Sequence, residues 1–413
     1  MTGPLHGVRV LDLSQGAAGP WVALMLGDLG AEVAKLEPPG GDWARTLGPP
    51  FVDGVASIFL AMNRNKRGTV IDLKKPGASL IVARMATLAD VVIENFRPGV
   101  VERLGVGYED LSSHNQRLIY LSISAYGRTG PWRDRAGVDG VVQAASGIMS
   151  VTGEAGRGPV RVGFPVADTA GAMFGTQGVL AALMARERTG KGQRVDVSLL
   201  QSALAFQLPV LAMHMQSPGS AGRRGSGAPY SSPNEAYRTS DGYIMVAAYL
   251  PERWIELCRA IGRPELAFDS RFESNEKRLA AREELSEAIE SVLTTRSTAE
   301  WVSILESADV MCTPVLEYED LLSQTQLRAT EAVWHVEHPT AGDIAAFRYP
   351  AALEATPAVP QAVAIHHLGE QSIELLTAWG FSKEEALEYL AAGAIGQSSP
   401  PFDNVVTNGS QDG

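Results

Sequence analysis

Short apolar runs alternate with helix-like stretches along the first half of the chain. Runs rich in Val, Ile and Leu, typical of buried strands, occur at 8–13, 31–37, 68–73, 89–94 and 118–123. Helical patterns lie between several of these runs. Because strands that alternate with helices usually form a parallel sheet covered on both faces, the pattern predicts an α/β fold with a mostly parallel sheet.

The second half of the chain changes character twice. Residues 168–213 are helix-like, apart from a Gly-Lys-Gly turn and the short strand 194–197. Residues 216–234 are rich in Ser, Gly, Pro and Arg, which is typical of a linker. The elements that follow indicate a smaller α+β domain over 235–325, with a strand at 243–246 and helices at 251–261, 276–293 and 298–307.

The C-terminal part carries fewer regular patterns. Residues 326–396 contain extended segments with scattered prolines and two short helical patterns, at 368–379 and 383–392. The polar and Pro-rich segment 397–413 is predicted to be disordered. The chain therefore divides into a large N-terminal domain (1–215), a linker (216–234), the small domain and a C-terminal part.

Composition and charge exclude several classes of protein. The 413 residues include 35 Lys and Arg and 47 Asp and Glu, giving a net charge of −12, which disfavours general nucleic-acid binding. Apolar runs fall short of the roughly 18 residues that a membrane span needs, so no membrane association is expected. Two distant cysteines, Cys258 and Cys312, offer neither a disulfide framework nor a metal-binding spacing. A cytoplasmic protein without a bound metal is therefore expected.

Common cofactor and nucleophile motifs do not match. The turn after the first strand, Gly16–Pro20, lacks the spacing of a dinucleotide fingerprint, and its proline removes a backbone donor. Gly190–Gly192 lacks the rest of a phosphate-binding P-loop. A G-x-S-x-G nucleophile elbow does not occur in the sequence.

Three local features carry candidate chemistry, and each also has a purely structural interpretation. Residues 63–68, which contain Lys66 and Arg67, precede a predicted strand and also fit a solvated edge. Residues 94–99 follow a predicted strand and also fit an ordinary turn. Asp168 opens a small-residue helix and also fits a helix N-cap.

Taken together and in order, these features resemble the family III CoA-transferases, the CaiB/BaiF class. That class includes formyl-CoA and carnitine CoA-transferases and, more distantly, the α-methylacyl-CoA racemases. The resemblance runs from Gly7 to about Asp196 and is weaker beyond. Its blocks are Gly7–Leu13, Leu29–Val33 with Lys35 and Glu37, Gly40–Asp42, Asn65–Arg67, Glu94–Gly99, Tyr126–Gly127 with Gly130–Pro131, Asp168, and Gly190–Gln193 with Val195–Val197.

The resemblance implies both a fold and an activity. It implies a Rossmann-like large domain built from both chain termini, a smaller α+β domain inserted between its halves, and a homodimer of two interlocked chains. It implies transfer of CoA from an acyl-CoA to a small carboxylic acid, with a coenzyme A thioester as substrate and without a tightly bound cofactor. Asp168 takes the position of the nucleophile.

The implied chemistry explains why the nucleophile is an aspartate. A carboxylate that attacks an acyl-CoA thioester forms a mixed anhydride, and the returning thiolate converts this into an aspartyl-CoA thioester. The acceptor acid then attacks that thioester. A helix N-terminus at Asp168 is expected to keep the carboxylate ionised, and its N–H groups are expected to stabilise the oxyanion.

CoA carries several phosphates, so an acidic protein that binds it needs a local cationic pocket. By resemblance, Gln15, Ala17 and Ala18 form the floor of the site after the first strand. Met62, Asn95 and Phe96 line the adenine and pantetheine path, although Phe96 also fits a core position. The predicted phosphate ligands are Lys66, Arg67, Arg97 and Arg103, with Arg45 as an addition.

The sequence departs from the family pattern at several positions. The racemases have a catalytic His where this chain has Val138, which disfavours racemisation. Ala136 stands in register with a lysine of formyl-CoA transferase, and Arg133 or Arg135 is a candidate to replace its charge. The oligoglycine loop of that enzyme has no counterpart at 247–250. A racemase or isomerase of 2-methylacyl-CoA and a non-catalytic CoA-binding protein remain the alternatives.

One further cationic pair lies in the predicted linker. Arg223 and Arg224 could attract the second carboxylate of a dicarboxylic substrate, or could be solvated linker residues. The sequence does not distinguish the two, and it does not identify the donor and acceptor acids.

Overall fold

The structure is a computed structural model that describes residues 3–219, 221–338, 342–358, 365 and 367–396. The predicted disorder of 397–413 concerns residues outside this set. The strands of the described residues are β1 (Arg9–Asp12), β2 (Glu32–Glu37), β3 (Phe51–Val52), β4 (Val55–Ala56), β5 (Lys66–Ile71), β6 (Val91–Glu94), β7 (Ile119–Ser124), β8 (Arg194–Ser198), β9 (Asn234–Arg238), β10 (Tyr243–Ala247), β11 (Met311–Pro314), β12 (Val333–His338), β13 (Gly342–Phe347) and β14 (Ile395–Gly396).

Helices connect most of these strands. They are α1 (Ala18–Asp28), α2 (Ser57–Asn63), α3 (Ala78–Ala86), α4 (Val100–Arg103), α5 (Tyr108–Ser112), α6 (Asp139–Ala145), α7 (Ile148–Val151), α8 (Val166–Thr189), α9 (Leu199–Phe206), α10 (Leu208–Gln216), α11 (Pro251–Ala260), α12 (Asn275–Ala280), α13 (Arg282–Leu293), α14 (Thr298–Ser307), α15 (Tyr318–Ser323), α16 (Thr325–Ala329), α17 (Ser372–Ala378) and α18 (Lys383–Ala391), with 3₁₀ turns at Trp43–Thr46 and Pro264–Phe268.

The central element is a seven-stranded sheet in the order β14-β5-β2-β1-β6-β7-β8. All neighbouring pairs are parallel except β14 with β5. Val10 and Leu11 of β1 are fully buried, as expected for a parallel strand covered on both faces. The structure thus confirms the predicted α/β class with a mostly parallel sheet.

The chain divides into two compact units. Unit one comprises the described residues within 1–143, 164–206 and from 328 onward, and it contains the seven-stranded sheet. Its core joins Leu11 and Val92 of the sheet to Trp379, which follows α17 and is fully buried. Residues near the end of the described chain therefore complete the core that the N-terminal strands begin.

Unit two comprises the described residues within 144–163 and 207–327, a wider span than the predicted small domain of 235–325. Its antiparallel sheet has the order β11-β10-β9 and packs on α11, α13 and α14. Trp254, Phe272 and Trp301 are among the largest side chains in this core.

Several predicted elements have other bounds in the structure, including the helix predicted at 368–379, which begins only at Ser372 as α17. The strand predicted at 68–73 is β5, which begins two residues earlier because Lys66 is buried within the strand rather than exposed before it. The helix predicted over 276–293 is two helices, separated where Ala281 leaves helical geometry. None of the described helices is both long and apolar enough to cross a lipid bilayer.

Candidate active site

The candidate site lies at the carboxyl edge of the large sheet. The strand order reverses at β1, because β2 and β5 lie on one side of it and β6, β7 and β8 lie on the other. The loops that follow β1 and β6 therefore diverge and leave a crevice, which is where ligands bind in open α/β sheets.

Two neighbouring cavities occupy this crevice. The larger, which we call the Asp168 cavity, has a volume of about 390 Å³. The second, the adjoining cavity, has a volume of about 230 Å³ and shares Asn95, Phe96 and Arg97 with the first. Predicted site residues that line the Asp168 cavity are Gln15, Ala17, Ala18, Asn95, Phe96, Arg97 and Asp168.

Asn95 joins the two loops through its side-chain amide. Its Oδ1 accepts a hydrogen bond of 2.8 Å from the Gln15 N–H, and its Nδ2 donates one of 2.6 Å to the Gln15 carbonyl. The Glu94 carboxylate accepts a 2.8 Å bond from the N–H of Phe96 and holds the same turn. Both polar side-chain atoms of Asn95 therefore bind the Gln15 backbone and position the cavity wall. Asn95 also lines the cavity, as predicted.

Buried charges hold the floor loop from below. The Lys35 ammonium donates to the Ser14 carbonyl at 2.8 Å and pairs with Asp42 at 2.9 Å. The other Asp42 oxygen accepts from the Gly16 N–H at 2.9 Å. Both Lys35 and Asp42 are buried. The loop that carries Gln15 to Ala18 is therefore fixed by ionic contacts that do not reach the cavity.

Trp43 covers the same loop and lines the Asp168 cavity. A Cβ atom on Gly16 would lie 2.1 Å from the Trp43 ring, and Gly16 has a φ of +81°, so only glycine fits between them. Trp43 is not among the site residues predicted from the sequence. Its position directly after Asp42 was the available signal, because Asp42 ends a block shared with the family.

Asp168 occupies the third position of α8, inside the helix rather than at the N-cap. The carboxylate that accepts from the helix end belongs to Asp139. Its Oδ1 accepts from the N–H of Ala167 at 2.8 Å and from that of Asp168 at 3.3 Å. The expected stabilisation of an oxyanion by these N–H groups does not fit, because both already donate to Asp139.

The Asp168 carboxyl group is partly buried and has an unusual acidity. Burial, with the Asp139 carboxylate as a second cause, raises its pKa from 3.8 to about 7. From the sequence, the helix N-terminus was expected to keep the Asp168 carboxylate ionised. The opposite shift follows because desolvation and a neighbouring negative charge dominate the site.

Three arginines place positive charge on the crevice wall. Arg97 lines both cavities and is exposed. Arg133 and Arg135 line the adjoining cavity beside Ala136, and the replacement of the lysine charge by one of them stays a prediction. Arg103 is exposed in α4, which begins directly after the 95–99 turn, and it does not line either cavity.

The phosphate roles predicted for Lys66 and Arg67 do not fit their positions. Both residues begin β5, and other residues of the fold already bind their charged groups. The buried Lys66 ammonium is held by Asp12 at 2.8 Å, the Pro20 carbonyl at 2.9 Å and Asn63 at 2.8 Å. Arg67 pairs with Glu32 at 2.5 Å. Both positive charges are therefore paired with residues of the fold itself.

Two further predicted residues also lie away from the cavities. Met62 is buried in α2 and does not line either of them. Arg45 is buried and pairs with Glu37 at 2.7 Å. We therefore leave Met62, Arg45, Lys66 and Arg67 out of the candidate site.

The described residues show neither a histidine in the lining of the two cavities nor a cluster of side chains that could hold a metal ion. Among the described residues that line the two cavities, none is a histidine, and Val138 occupies the position where the racemases have one. Across the described chain, no cluster of three His, Cys, Asp or Glu side chains is arranged to hold a metal ion. Among the described residues that line the two cavities, the polar groups are one carboxylate, amides, arginines, the Ser124 hydroxyl and the Trp43 indole.

Comparison with known proteins gives a consistent family. The family model described as CoA-transferase family III matches residues 5–372. Succinyl-CoA:glutarate CoA-transferase from Mus musculus is 37% identical over 342 residues, covering 83% of this chain and 78% of the relative. Acetyl-CoA:oxalate CoA-transferase from Acetobacter aceti is 39% identical over 329 residues, covering 79% of this chain and 84% of the relative.

A solved structure shows the same similarity in three dimensions. The crystal structure of a CAIB/BAIF family protein from Brucella suis superimposes with a TM-score of 0.83 at 33% sequence identity. The superposition covers 92% of this chain and 100% of that one.

Proposed function

The chain belongs to CoA-transferase family III and is an enzyme that transfers CoA between acyl-CoA thioesters and carboxylic acids, and we propose that it does so through a covalent adduct on Asp168. One observation carries the proposal. Asp168 is the carboxylate that lines a crevice at the carboxyl edge of the sheet, together with six other residues predicted to contact CoA.

The proposed reaction begins with attack by the Asp168 carboxylate on the thioester carbonyl of the donor. The C–S bond breaks, CoA leaves as a thiolate, and a mixed anhydride forms. The thiolate then attacks the aspartyl carbonyl. The C–O bond of the anhydride breaks, the donor acid leaves as a carboxylate, and an aspartyl-CoA thioester remains.

The second half repeats these steps with the acceptor acid. Its carboxylate attacks the aspartyl-CoA thioester and expels the thiolate, forming a new mixed anhydride. The thiolate attacks the acceptor carbonyl, which releases the new acyl-CoA and restores the Asp168 carboxylate. Every bond broken is matched by one formed, so the sequence needs neither a net proton transfer nor a redox cofactor.

The arginines of the crevice support the proposed binding of CoA. We assign Arg97 and Arg103 to its phosphate groups, because guanidinium groups bind phosphate oxygens in pairs and both side chains are exposed near the 95–99 turn. Phe96, Ala17 and Ala18 supply apolar wall to the Asp168 cavity. This set replaces the wider cationic pocket expected from the sequence.

Trapping the adduct tests the proposal. The protein is incubated with an acyl-CoA that it turns over and is then treated with borohydride, which reduces an aspartyl thioester to homoserine. Mass spectrometry of the digested protein should find homoserine at residue 168, and Asp168→Asn should show none. Continued transfer with residue 168 unmodified would contradict the covalent mechanism.

A racemase is the main alternative, and the site does not favour it. That chemistry requires two groups that exchange protons at the α-carbon. Val138 lines both cavities with an exposed fraction of 60% and cannot move a proton. Solvent deuterium incorporation at the α-carbon without CoA exchange would support the racemase.

The acidity of Asp168 predicts the pH dependence of the reaction. The nucleophile is the carboxylate, and its pKa is raised to about 7, so the first-order rate of adduct formation should fall as the pH drops below about 7. In Asp139→Asn the neighbouring negative charge is removed, while an amide oxygen can still accept from Ala167. The midpoint should therefore move to lower pH.

Rapid-quench measurement of adduct formation between pH 5 and 9 tests both parts. The midpoint in Asp139→Asn should stay above 3.8, because desolvation, the larger cause, is unchanged. A profile with the same midpoint in both proteins would show that Asp139 does not influence the nucleophile.

The names of the relatives support a short dicarboxylic acid as one substrate. The mouse relative is named for succinyl-CoA and glutarate, and the Acetobacter relative for acetyl-CoA and oxalate. Three of those four acids are dicarboxylic. We therefore propose that this enzyme accepts a short dicarboxylate.

We also propose that the enzyme is a homodimer. None of the nine residues of α10, all of them described, is buried, although the helix is largely apolar. Leu208 and Met215 have exposed fractions of 66% and 73%. Such a surface is typical of a contact between chains. Light scattering should give twice the chain mass, and a monomer at micromolar concentration would contradict the proposal.

A further inference from the structure

Unit two contains a cavity that shares no lining residue with the two cavities described above. It has a volume of about 580 Å³. Its walls come from 154–155, 223–225, Glu235, 279–284 and Ser286, which include the start of α13. We call it the Arg223 cavity. All of its lining residues belong to the same compact unit.

Arg223 is the cation of this cavity that the protein leaves unpaired. Within the described residues, its guanidinium group makes no hydrogen bond or ion pair, although the residue is partly buried. Its Nε is enclosed without an acceptor. Burying part of a charged group without a partner costs free energy, so the arrangement suits an anion from outside the chain.

A second arginine is held rigidly in the same wall. The side chain of Arg282 has an exposed fraction of 11%. It donates to the Ala228 carbonyl at 2.7 Å and to Glu235 at 3.3 Å. Glu235 also accepts from Ser286 at 2.8 Å. The one buried carboxylate of the cavity is therefore already bound and does not neutralise Arg223.

The other acidic residues of the cavity lie at its rim. Glu154 is exposed and pairs with Arg157 at 2.7 Å. Glu284 is exposed and pairs with Arg271 at 2.6 Å. Glu283 is also exposed. Solvent and these pairs screen the rim carboxylates, so the inner wall at Arg223 keeps its positive charge.

We propose that the Arg223 cavity binds one carboxylate of a short dicarboxylic acid. The planar guanidinium fork of Arg223 matches a carboxylate, and the adjacent Arg224 adds positive charge. This inference rests on the proposed function for the choice of acid.

Calorimetric titration with succinate tests the site in the full-length protein without CoA. Arg223→Met should bind succinate about 10- to 100-fold more weakly than the unmodified protein, because it loses a charged hydrogen-bonded pair. Arg259→Met removes an exposed arginine of unit two and should bind as the unmodified protein does. Equal dissociation constants for Arg223→Met and the unmodified protein, or no succinate binding at all, would overturn the proposal.

A second variant tests whether weaker binding reflects the cavity itself rather than a loss of folded structure. Ala155 is exposed in the cavity lining, and Ala155→Glu adds a carboxylate there. It should also weaken succinate binding at an unchanged unfolding temperature. Unimpaired binding in this variant would count against the site.

Turnover measurements distinguish whether the acid bound at Arg223 is the acceptor substrate or an effector that does not react. If the bound acid is the acceptor, Arg223→Met should raise KM about 10-fold or more for succinate and leave that for butyrate unchanged. If the acid is an effector, Arg223→Met should lose succinate binding while the KM values for succinate and for butyrate both stay the same. Labelling of Asp168 is independent of either result, so failure of this site and failure of the proposed mechanism are distinguishable.

Discussion

Asp168→Asn is expected to lower the rate of CoA transfer by about 10⁴-fold or more, since removal of a covalent nucleophile usually costs this much. The amide has nearly the same shape as the carboxylate but cannot attack a thioester. Steady-state turnover and adduct trapping should both fail. Asp320→Asn, at an exposed aspartate of α15 in unit two, should retain full activity.

The same variant should not be less stable than the unmodified protein. The pKa of Asp168 is raised to about 7 in the folded state against 3.8 as its ordinary value, so its ionisation disfavours folding above pH 4 and most strongly above pH 7. Asp168→Asn should therefore unfold at an equal or higher temperature at pH 8, with the advantage lost below pH 4. A lower unfolding temperature at pH 8 would attribute the loss of activity to misfolding.

Asp12→Asn is expected to lower the free energy of unfolding by about 3–5 kcal/mol, the usual cost of breaking a buried ion pair. Asp12 is fully buried at the end of β1 and accepts from Lys66 at 2.8 Å. Burial disfavours its charge, but the ammonium groups of Lys35 and Lys66 outweigh that effect and lower its pKa. The neutral amide would leave two buried lysines with insufficient negative charge.

Urea unfolding at pH 7.5 measures this effect. Glu154→Gln, which breaks an exposed ion pair with Arg157, is the matched control and should cost less than about 1 kcal/mol. If Asp12→Asn cost no more than this control, the buried charges would not hold the fold. Because Lys35 also donates to the Ser14 carbonyl beside the floor loop, a weakened network should raise the KM for acyl-CoA as well.

The local pattern of the sequence predicted much of the fold. Runs of β-branched and aliphatic residues identified β1, β2, β6 and β7 within one or two residues, because a strand buried on both faces requires apolar residues throughout its length. At β5, residue type alone did not predict where the strand begins. Lys66 was read as a surface residue, and only the fold shows that Asp12, 54 residues away, neutralises it.

The candidate site was partly predictable for the same reason. Resemblance placed Asp168, Gln15, Phe96 and Arg97, which line one cavity in the structure. The contact between Asn95 and the Gln15 backbone, 80 residues apart, was not predictable from either segment alone.

By itself, the sequence determined the α/β class, the family resemblance and the positions of the motifs, since these depend on residues close together in the chain. The tertiary structure alone decided which charges serve the site and which are consumed inside the fold. Lys66 and Arg97 look equivalent as cations in the sequence, but Asp12, Pro20 and Asn63 bind the buried Lys66 ammonium, whereas Arg97 is exposed and lines both cavities. The tertiary structure also decided the raised pKa of Asp168. The burial of this carboxyl group and its proximity to Asp139 arise only when α8 packs against the segment that carries Asp139.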